Sequence, residues 1–327
     1  MNIVIIGAYG HFHMVIDAVK EDARLKLQGI APGSEGESLE ALKDYCRKAD
    51  LAPAVYDDYR EMLKESKADL AVINSVFGLN RRLIACCLNQ GIAVYSEKPL
   101  AAEAEELQAL EALYRKAERP LGAMLTLRYT PWFLSMKKCF ETGAIGELRL
   151  IRAQKSYKLG QRPDFFRERA LFTGLIPWVG IHAVDWVLAF GGRFKGGSAR
   201  HSRRYNRGMG DMERSAVCLM ELENEVFATV SVDYLRPAAA SRNDDDRLRL
   251  VGTKGTLESR DGKVWLEDEK APKRLLPLEN ALNPFTEFLR LTAAGEDRKI
   301  AEASFRASEA ALYLRDAADR ATERDAR

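Results

Sequence analysis

The stretch Val94-Tyr95-Ser96-Glu97-Lys98-Pro99-Leu100 joins an apolar run to an acid, a lysine and a proline, and a helical pattern follows it. Proline restricts the residue before it to extended backbone, so Lys98 is predicted to close a strand. In an open α/β sheet this position lies at the carboxyl edge, where such sheets bind ligands. Desolvation and neighbouring charges tune a lysine readily, which makes Lys98 a candidate for proton chemistry. A solvated lysine at a strand end is the alternative interpretation.

Length and composition narrow the class of protein. The 327 residues suggest about two domains, and 46% hydrophobic with 30% charged residues is typical of a soluble globular chain. A net charge of +2 gives no general support to nucleic-acid or membrane partners. The five cysteines form neither a disulfide framework nor a spaced metal motif, so we expect a reducing, cytoplasmic setting and no metal site. No apolar run approaches the ~20 residues of a membrane helix, so no span is expected.

The chain opens with a strand pattern and a glycine turn. Residues 2–6 are mostly β-branched, and Gly7-Ala8-Tyr9-Gly10-His11-Phe12-His13 follows them directly before an amphipathic helix. Glycines placed in this way let backbone amides approach a pyrophosphate at a helix N-terminus. The turn is shorter than the usual G-x-G-x-x-G pattern, because it supplies only Gly7 and Gly10. A plain tight turn is the alternative interpretation.

Strand and helix patterns alternate through the rest of the first 124 residues. Further strands are predicted at 25–30, 52–56, 68–76, 92–96 and 121–127. This alternation implies a doubly wound parallel sheet covered by helices on both faces, and hence a nucleotide-binding domain over residues 1–124. In NAD-binding units an acid soon after the second strand usually binds the adenosine ribose. No acid occurs there before Glu35, so NAD and NADP both remain open.

From residue 125 onwards strand patterns dominate. After a helix that begins at Thr130-Pro131, strands are predicted at 147–157, 198–205, 215–222, 226–234, 247–252, 256–259 and 264–267. Two helices, 284–294 and 301–322, close the chain. We predict an α+β domain over residues 125–327 with a mixed, largely antiparallel sheet that has one open face. Because an open face needs covering, we expect a homodimer or homotetramer formed through it.

One helix, predicted from Pro177 to Gly191, interrupts these strands. It carries His182 with Trp178 four residues before and Asp185 three residues after, positions that share a helix face. A hydrogen-bonded core histidine is the default interpretation. The small number of histidines, four in all, and the nearby carboxylate favour a catalytic role.

These segments together resemble the Gfo/Idh/MocA oxidoreductase family, which includes glucose–fructose oxidoreductase and inositol dehydrogenase. The resemblance covers almost the whole chain and rests on the order and spacing of its motifs. The matching motifs are Gly7 and Gly10 with His13, Glu97-Lys98-Pro99, Arg128-Tyr129-Thr130-Pro131, Thr142-Gly143-Ala144-Ile145-Gly146-Glu147-Leu148, Gly180-Ile181-His182-Ala183-Val184-Asp185 and Val251-Gly252-Thr253-Lys254-Gly255-Thr256.

The resemblance implies a Rossmann domain that binds NAD or NADP, followed by a domain that carries a small-molecule substrate such as a sugar or polyol. Lys98 would contact the substrate hydroxyl, and the peptide before Pro99 is often cis in relatives. His182 would take or return the hydroxyl proton as hydride moves to or from the nicotinamide.

The candidate residues fall into three sets. The candidate catalytic residues are Lys98, His182 and Asp185. The candidate cofactor-binding residues are Gly7, Tyr9, Gly10, His11, Ser34, Asn74, Ser75, Glu97 and Lys98. The candidate substrate-binding residues are Arg128, Tyr157, Arg162, Asp164, Trp178 and Tyr234.

The chain departs from the family pattern in three places. Trp178 stands where members often carry an aspartate, the glycine turn is short, and residues 76–80 lack the usual proline and histidine. Asp185 is a possible substitute that would orient His182.

The leading hypothesis is an NAD(P)-dependent oxidoreductase acting on a secondary alcohol or ketone of a sugar, cyclitol or related polyol. A non-catalytic nucleotide- or sugar-binding regulator on a degraded dehydrogenase scaffold is the rival hypothesis. Reduction of an imine or enoyl substrate is a third.

Overall fold

The N-terminal apolar run forms the centre of a parallel sheet. The computed structural model, which describes residues 1–325, has six strands in this sheet: β1 (Asn2–Ile6), β2 (Lys26–Ala31), β3 (Ala54–Val55), β4 (Leu70–Ile73), β5 (Ala93–Ser96) and β6 (Leu121–Ala123). Their order is β3-β2-β1-β4-β5-β6, and every neighbouring pair is parallel. β1 and β4 are buried on both faces, as their continuous apolar sequences predict. The predicted doubly wound sheet is confirmed.

Helices connect these strands as the alternating pattern predicts. They are α1 (Phe12–Glu21), α2 (Glu40–Lys48), α3 (Tyr59–Glu65), α4 (Asn80–Leu88) and α5 (Ala104–Ala117). Asp58 caps α3, because its side chain accepts a hydrogen bond from the backbone N–H of Arg60 at 2.8 Å. The strand order reverses between β1 and β4, which opens a crevice at the carboxyl ends of the strands.

The second sheet has eight strands. They are β7 (Leu148–Lys158), β8 (Phe194–Ser202), β9 (Ser215–Leu222), β10 (Phe227–Arg236), β11 (Asp244–Gly252), β12 (Gly255–Arg260), β13 (Lys263–Asp268) and β14 (Ala271–Leu276). The order is β14-β13-β12-β11-β7-β10-β9-β8. β7 and β10 are parallel and the other pairs antiparallel, so the mixed, largely antiparallel sheet is confirmed.

Three strands of this sheet differ clearly from the prediction. β14 was not predicted, β8 starts four residues earlier than expected, and β11 starts three residues earlier. Gly196 and Gly197 weaken the strand signal at the start of β8, but pairing with β9 holds them in the sheet.

One face of the eight-stranded sheet is open. In β9 alternate residues are buried, whereas Val217 and Leu219 point outwards, and Phe227 and Leu150 on neighbouring strands are also exposed. The opposite face of β7 packs against α8 (Ile181–Gly191). The helices before α8 are α6 (Pro131–Glu141) and α7 (Arg169–Phe172), and a π-helical turn, Ile176–Gly180, leads into α8.

A single helical stretch of the described residues, Arg169–Gly191, is long and apolar enough to cross a membrane by length and composition alone. The expectation that no stretch approaches this length is therefore wrong. In the structure 89% of its apolar window is buried inside the protein, as in a core helix.

The chain divides into two compact units, and their bounds differ from the predicted domains. The first contains residues 1–124, 170–173 and 283–308, and the second contains residues 125–169 and 174–282 and the chain from 309 onwards. Residues 283–308, predicted to belong to the second domain, thus join the first unit. They include α9 (Pro284–Ala293) and the start of α10 (Asp297–Asp325).

Contacts with the parallel sheet explain this difference. The ring of Phe288 stacks on Tyr95 of β5 at 4.9 Å, and the Ser304 hydroxyl accepts from the backbone N–H of Ala123 at 2.9 Å. An amphipathic pattern shows which side of a helix is apolar, but not which sheet that side will cover.

Candidate active site

The glycine turn packs directly against the carboxyl ends of β4 and β5. Gly7 and Gly10 have positive φ angles of +88° and +103°. A Cβ atom on Gly7 would lie 2.5 Å from the backbone of Ser75, and one on Gly10 would lie 2.2 Å from the Glu97 carboxylate. Only glycine allows both this backbone conformation and this close approach.

A buried carboxylate, Glu37, joins three strand ends of the first unit. Its Oε1 accepts from the backbone N–H of Ala8 at 2.9 Å. Its Oε2 accepts from the backbone N–H groups of Gly33 and Ser34 at 3.0 and 3.2 Å, and from the Ser75 hydroxyl at 2.7 Å. These partners follow β1, β2 and β4, so one acid ties together the loops that surround the crevice.

Glu37 was not predicted from the sequence, because Glu35 is the first acid after the second strand and precedes it in the same loop. Glu35 is exposed, whereas Glu37 is buried. The available signal was the Pro32-Gly33-Ser34 turn, which bends the chain back towards the strand ends.

The residues around this crevice suit a dinucleotide. The side-chain amide of Asn74 is fully buried, and neither of its polar atoms has a hydrogen-bond partner within residues 1–325. The backbone carbonyl of Asn74 accepts from the N–H of Tyr9 at 2.6 Å, so this amide lies next to the glycine turn. The first turn of α1 contains no acidic residue and has no side-chain cap, which leaves its partial positive charge for an anion.

Lys98 lies directly after β5 and is held by Glu97. The Lys98–Pro99 peptide is cis, as the family resemblance led us to expect. Lys98 is 2% exposed, and its ammonium lies 3.4 Å from Glu97 Oε2, while His11 Nδ1 lies 2.5 Å from Glu97 Oε1. Burial alone would raise the pKa of Glu97, but the charges of His11 and Lys98 and the hydrogen bonds from His11 outweigh it and lower this pKa to about 2.

His182 and Asp185 lie in α8 of the second unit, and both are buried. The Asp185 carboxylate accepts hydrogen bonds from Arg128 Nε and from a terminal Arg128 nitrogen, both at 2.6 Å. This bidentate pair occupies both oxygens of Asp185, the carboxylate expected to orient His182. Trp178 lies in the π-helical turn, where the longer repeat shifts it from the 3.6-residue spacing assumed in the prediction.

Three of the candidate substrate-binding residues lie close together in the second unit. The guanidinium of Arg162 lies 4.5 Å above the ring of Tyr234. Burial raises the pKa of Tyr157 and of Tyr234, and the charge of Arg162 opposes both shifts. Asp164 is not part of this group, since its side chain is 95% exposed and pairs with Arg167.

A buried ion pair next to this group was not predicted. Lys155 Nζ donates to Asp246 at 2.6 Å and lies 4.4 Å above the ring of Tyr157. The same ammonium lies 5.5 Å from the ring of Trp186 in α8. Strand alternation was the signal that could have found it, because Lys155 follows buried Ala153 on the inner side of β7.

A second histidine–carboxylate cluster lies elsewhere in the second unit. His201 Nδ1 lies 3.1 Å from Glu213, and its Nε2 lies 3.3 Å from Asp319. Arg169 contacts both carboxylates. Because a fixed guanidinium charge already occupies the cluster, we interpret it as an ion-pair network rather than a metal site.

The chain is similar to two curated proteins that are named as dehydrogenases. Human trans-1,2-dihydrobenzene-1,2-diol dehydrogenase is 26% identical over 223 residues, which is 67% of this chain and 63% of that protein. Inositol 2-dehydrogenase 2 of Saccharopolyspora erythraea is 26% identical over 62% of this chain and 58% of its own length. The chain therefore spans less than two thirds of either curated relative.

Solved structures extend the similarity over the full length. A protein described as "putative oxidoreductase from Thermotoga maritima" is 42% identical, with 98% of both chains covered and a TM-score of 0.94. Levoglucosan dehydrogenase in complex with NADH and levoglucosan shares the fold, with a TM-score of 0.79 at 16% identity over 98% of this chain and 97% of that one.

Family models match both parts of the chain. Residues 1–124 match the model described as "Oxidoreductase family, NAD-binding Rossmann fold", which confirms the expected nicotinamide-dinucleotide domain. Residues 133–258 match the model described as "GFO/IDH/MocA C-terminal domain". Because the two models together cover most of the sequence, this chain belongs to the Gfo/Idh/MocA family of NAD-binding oxidoreductases.

Proposed function

We propose that this protein is an NAD-dependent dehydrogenase of a secondary alcohol, or the reductase of the corresponding ketone, in a sugar, cyclitol or related polyol. The observation that carries the proposal is the buried Lys98, placed by Glu97 at the carboxyl edge of a parallel nucleotide-binding sheet. The curated relatives named above act on a ring diol and on inositol. A vicinal diol on a six-membered ring is therefore the first substrate class to test.

The chain's own residues would handle the proton in this reaction. The cofactor supplies the hydride acceptor when it is bound. Lys98 would bind the substrate hydroxyl through its ammonium, with Glu97 fixing its direction. His182, shielded from bulk water in α8, would accept the hydroxyl proton and return it in the reverse direction.

The proposal names NAD rather than NADP because of Glu37. The backbone N–H of Ala8 donates to Glu37, and that of His11 donates to Glu97. Because these two amides are already used, the pyrophosphate would bind to the N–H groups in the first turn of α1. A carboxylate accepts hydrogen bonds from ribose hydroxyls but repels a 2′-phosphate. The loop over residues 31–39 contains no lysine or arginine to offset that repulsion.

Two measurements test this function. Thermal-shift titration of the purified protein with NADH and with NADPH should give a larger stabilisation with NADH, because a ligand that binds only the folded state raises the melting temperature. Reduction of NAD should then be followed by absorbance with inositols, ring dihydrodiols and anhydrosugars. A stabilising cofactor without turnover on any member of this panel would contradict the proposed reaction.

A non-catalytic regulator is the second candidate. Trp178 in place of the family aspartate favours it, as does the occupation of two glycine-turn amides by carboxylates. It predicts ligand binding without turnover, and no effect of His182→Ala on any measurable property except stability.

We also propose that the open face of the eight-stranded sheet joins copies of the chain. Val217 and Leu219 on β9 are exposed apolar side chains of this face, and such a sheet face is usually covered. Size-exclusion chromatography with light scattering should show a homodimer or homotetramer. Leu219→Arg should reduce the measured mass to that of one chain, and an unchanged mass would contradict this interface.

A further inference from the structure

His11 makes two contacts with a single carboxylate oxygen. Its ring Nδ1 lies 2.5 Å from Glu97 Oε1, and its backbone N–H donates to the same oxygen at 2.7 Å. The His11 side chain is 28% exposed, whereas the Glu97 side chain is completely buried. A residue that reaches the surface therefore fixes the orientation of a buried charge.

The second oxygen of this carboxylate faces Lys98. Glu97 Oε2 lies 3.4 Å from Lys98 Nζ and forms no hydrogen bond to any other part of the described chain. Because a carboxylate is planar, holding Oε1 at His11 also sets the position of Oε2 beside the ammonium. A continuous line of contact therefore runs from His11 through Glu97 to Lys98 within the first unit.

Two further titratable groups of α1, His13 and Asp17, lie near the His11 end of this line. The ring of His13 lies 5.9 Å from that of His11, and Asp17 acts on His13 from the next turn of α1. Glu37 lies on the other side of the glycine turn, where it holds Ala8. Among these groups, only His11 contacts Glu97 Oε1, whereas Lys98 faces Oε2.

We propose that His11 is a positioning residue for Lys98 and that it acts through Glu97. The proposal rests on the proposed function, in which Lys98 contacts the substrate hydroxyl. Hydrogen bonds to a carboxylate draw negative charge towards the donor and prevent the group from rotating. Without the imidazole, Glu97 would turn and direct more of its negative charge at Lys98. The Lys98 ammonium would then hold its proton more tightly and would move away from the position in which it contacts the substrate hydroxyl.

The first test needs no turnover. The pH dependence of Lys98 acetylation in the unliganded protein, followed by peptide mass spectrometry, reports the pKa of this amine. In His11→Phe we expect that pKa to rise by about half a unit, because a hydrogen bond to the carboxylate is lost. In His11→Asn the side-chain amide can still donate to Glu97, so the value should stay close to that of the wild type.

The second test separates positioning from substrate binding. His11→Phe should lower kcat about tenfold, the loss expected for one hydrogen bond to a charged group. KM for the polyol and Kd for NADH should change less than about twofold. His11→Asn should restore most of kcat.

His201→Phe is the matched control, since His201 also pairs with a buried glutamate but lies in the other unit. It should lower the melting temperature and leave both the Lys98 pKa and kcat unchanged. If His11→Phe does not fold, His11→Ala takes its place in both tests.

An unchanged Lys98 pKa in His11→Phe would overturn the inference, and so would equal shifts in His11→Phe and His201→Phe. If the wild type binds NADH but oxidises no polyol, the proposed function fails while the acetylation result still decides the role of His11. The two failures are therefore distinguishable.

Discussion

Each unit of the molecule buries a glutamate against a histidine, His11 with Glu97 in the first and His201 with Glu213 in the second. Burial alone would raise the pKa of each carboxyl, yet the histidine and a neighbouring cation lower both values to about 2. The two clusters are therefore similar in residue type, burial and charge.

They differ in the cation that completes them. Glu97 faces Lys98, whereas Glu213 contacts Arg169, which also reaches Asp319. An arginine keeps its proton at any pH that a protein survives, while a buried lysine can release one. The third partner and its place at a strand end, rather than the histidine–glutamate pair, therefore mark the candidate for chemistry.

Replacing the cation of each cluster, Lys98 or Arg169, should give the largest difference in kcat between the two clusters. Lys98→Met should lower kcat by about 10²–10³-fold, the loss expected when one donor to the reacting oxygen is removed, and circular dichroism should show an intact fold. Arg169→Met should leave kcat within about threefold of the wild type below its melting temperature, because its cluster only stabilises the fold. Near-normal turnover in Lys98→Met would refute the assignment.

Replacing the carboxylates should produce a contrast in stability. Glu213→Gln leaves Arg169 and His201 without their buried partner, and it weakens the hydrogen bond from the Leu175 N–H to this side chain. Breaking a buried pair in this way typically costs about 3–5 kcal/mol of unfolding free energy. Urea denaturation should show such a loss for Glu213→Gln, with kcat unchanged where the protein is folded.

Glu97→Gln should lose comparable stability, and it should also lose turnover because Lys98 is displaced. Equal effects of the two glutamine variants on kcat would remove the distinction between the clusters.

Acid should weaken both clusters together. Each glutamate has a folded pKa of about 2 against an ordinary value of 4.5, so the unfolded chain binds protons first as the pH falls. Their contribution to stability is complete above about pH 5 and is lost as the pH approaches about 2. Urea titrations across this window should show a falling unfolding free energy, with a shallower slope in Glu97→Gln and Glu213→Gln. A slope identical to that of the wild type in both variants would contradict the assigned pKa values.

Glu37 differs from these two glutamates because its partners are backbone amides and hydroxyls rather than cations. Replacing it should therefore have a smaller effect, one on cofactor preference. Glu37→Gln removes the negative charge that opposes a 2′-phosphate, so the ratio of Kd for NADPH to Kd for NADH should fall about fivefold. Glu35→Gln, an exposed acid in the same loop, is the control and should leave the ratio unchanged. Wild-type protein that prefers NADPH would contradict the role given to Glu37.

Much of the fold follows from local sequence. Strand β1, the glycine turn and the amphipathic α1 are specified by β-branched residues, by Gly7 and Gly10, and by helical periodicity. The position of Lys98 at the end of β5 follows from Pro99, which limits the backbone of the residue before it. These features depend on neighbours only a few residues away, and for that reason they could be predicted without a structure.

The candidate site depends much more on contacts between distant residues. Three of its hydrogen bonds join residues far apart in sequence: Ala8–Glu37 by 29 positions, Arg128–Asp185 by 57 and His11–Glu97 by 86. No local pattern encodes such partners. The sequence could offer Asp185 as the residue that orients His182, but only the fold shows that Arg128 takes both of its oxygens.

The family, the two sheets and the candidates Lys98 and His182 could all be inferred without a structure, because periodicity, turn chemistry and the order of the motifs can be read along the chain. Three features are visible only in the folded chain: residues 283–308 join the first unit, Glu37 binds the amide of Ala8 in the glycine turn, and His11 holds the carboxylate beside Lys98. Buried polar groups must find partners wherever the packed chain brings them, and packing is a property of the whole fold.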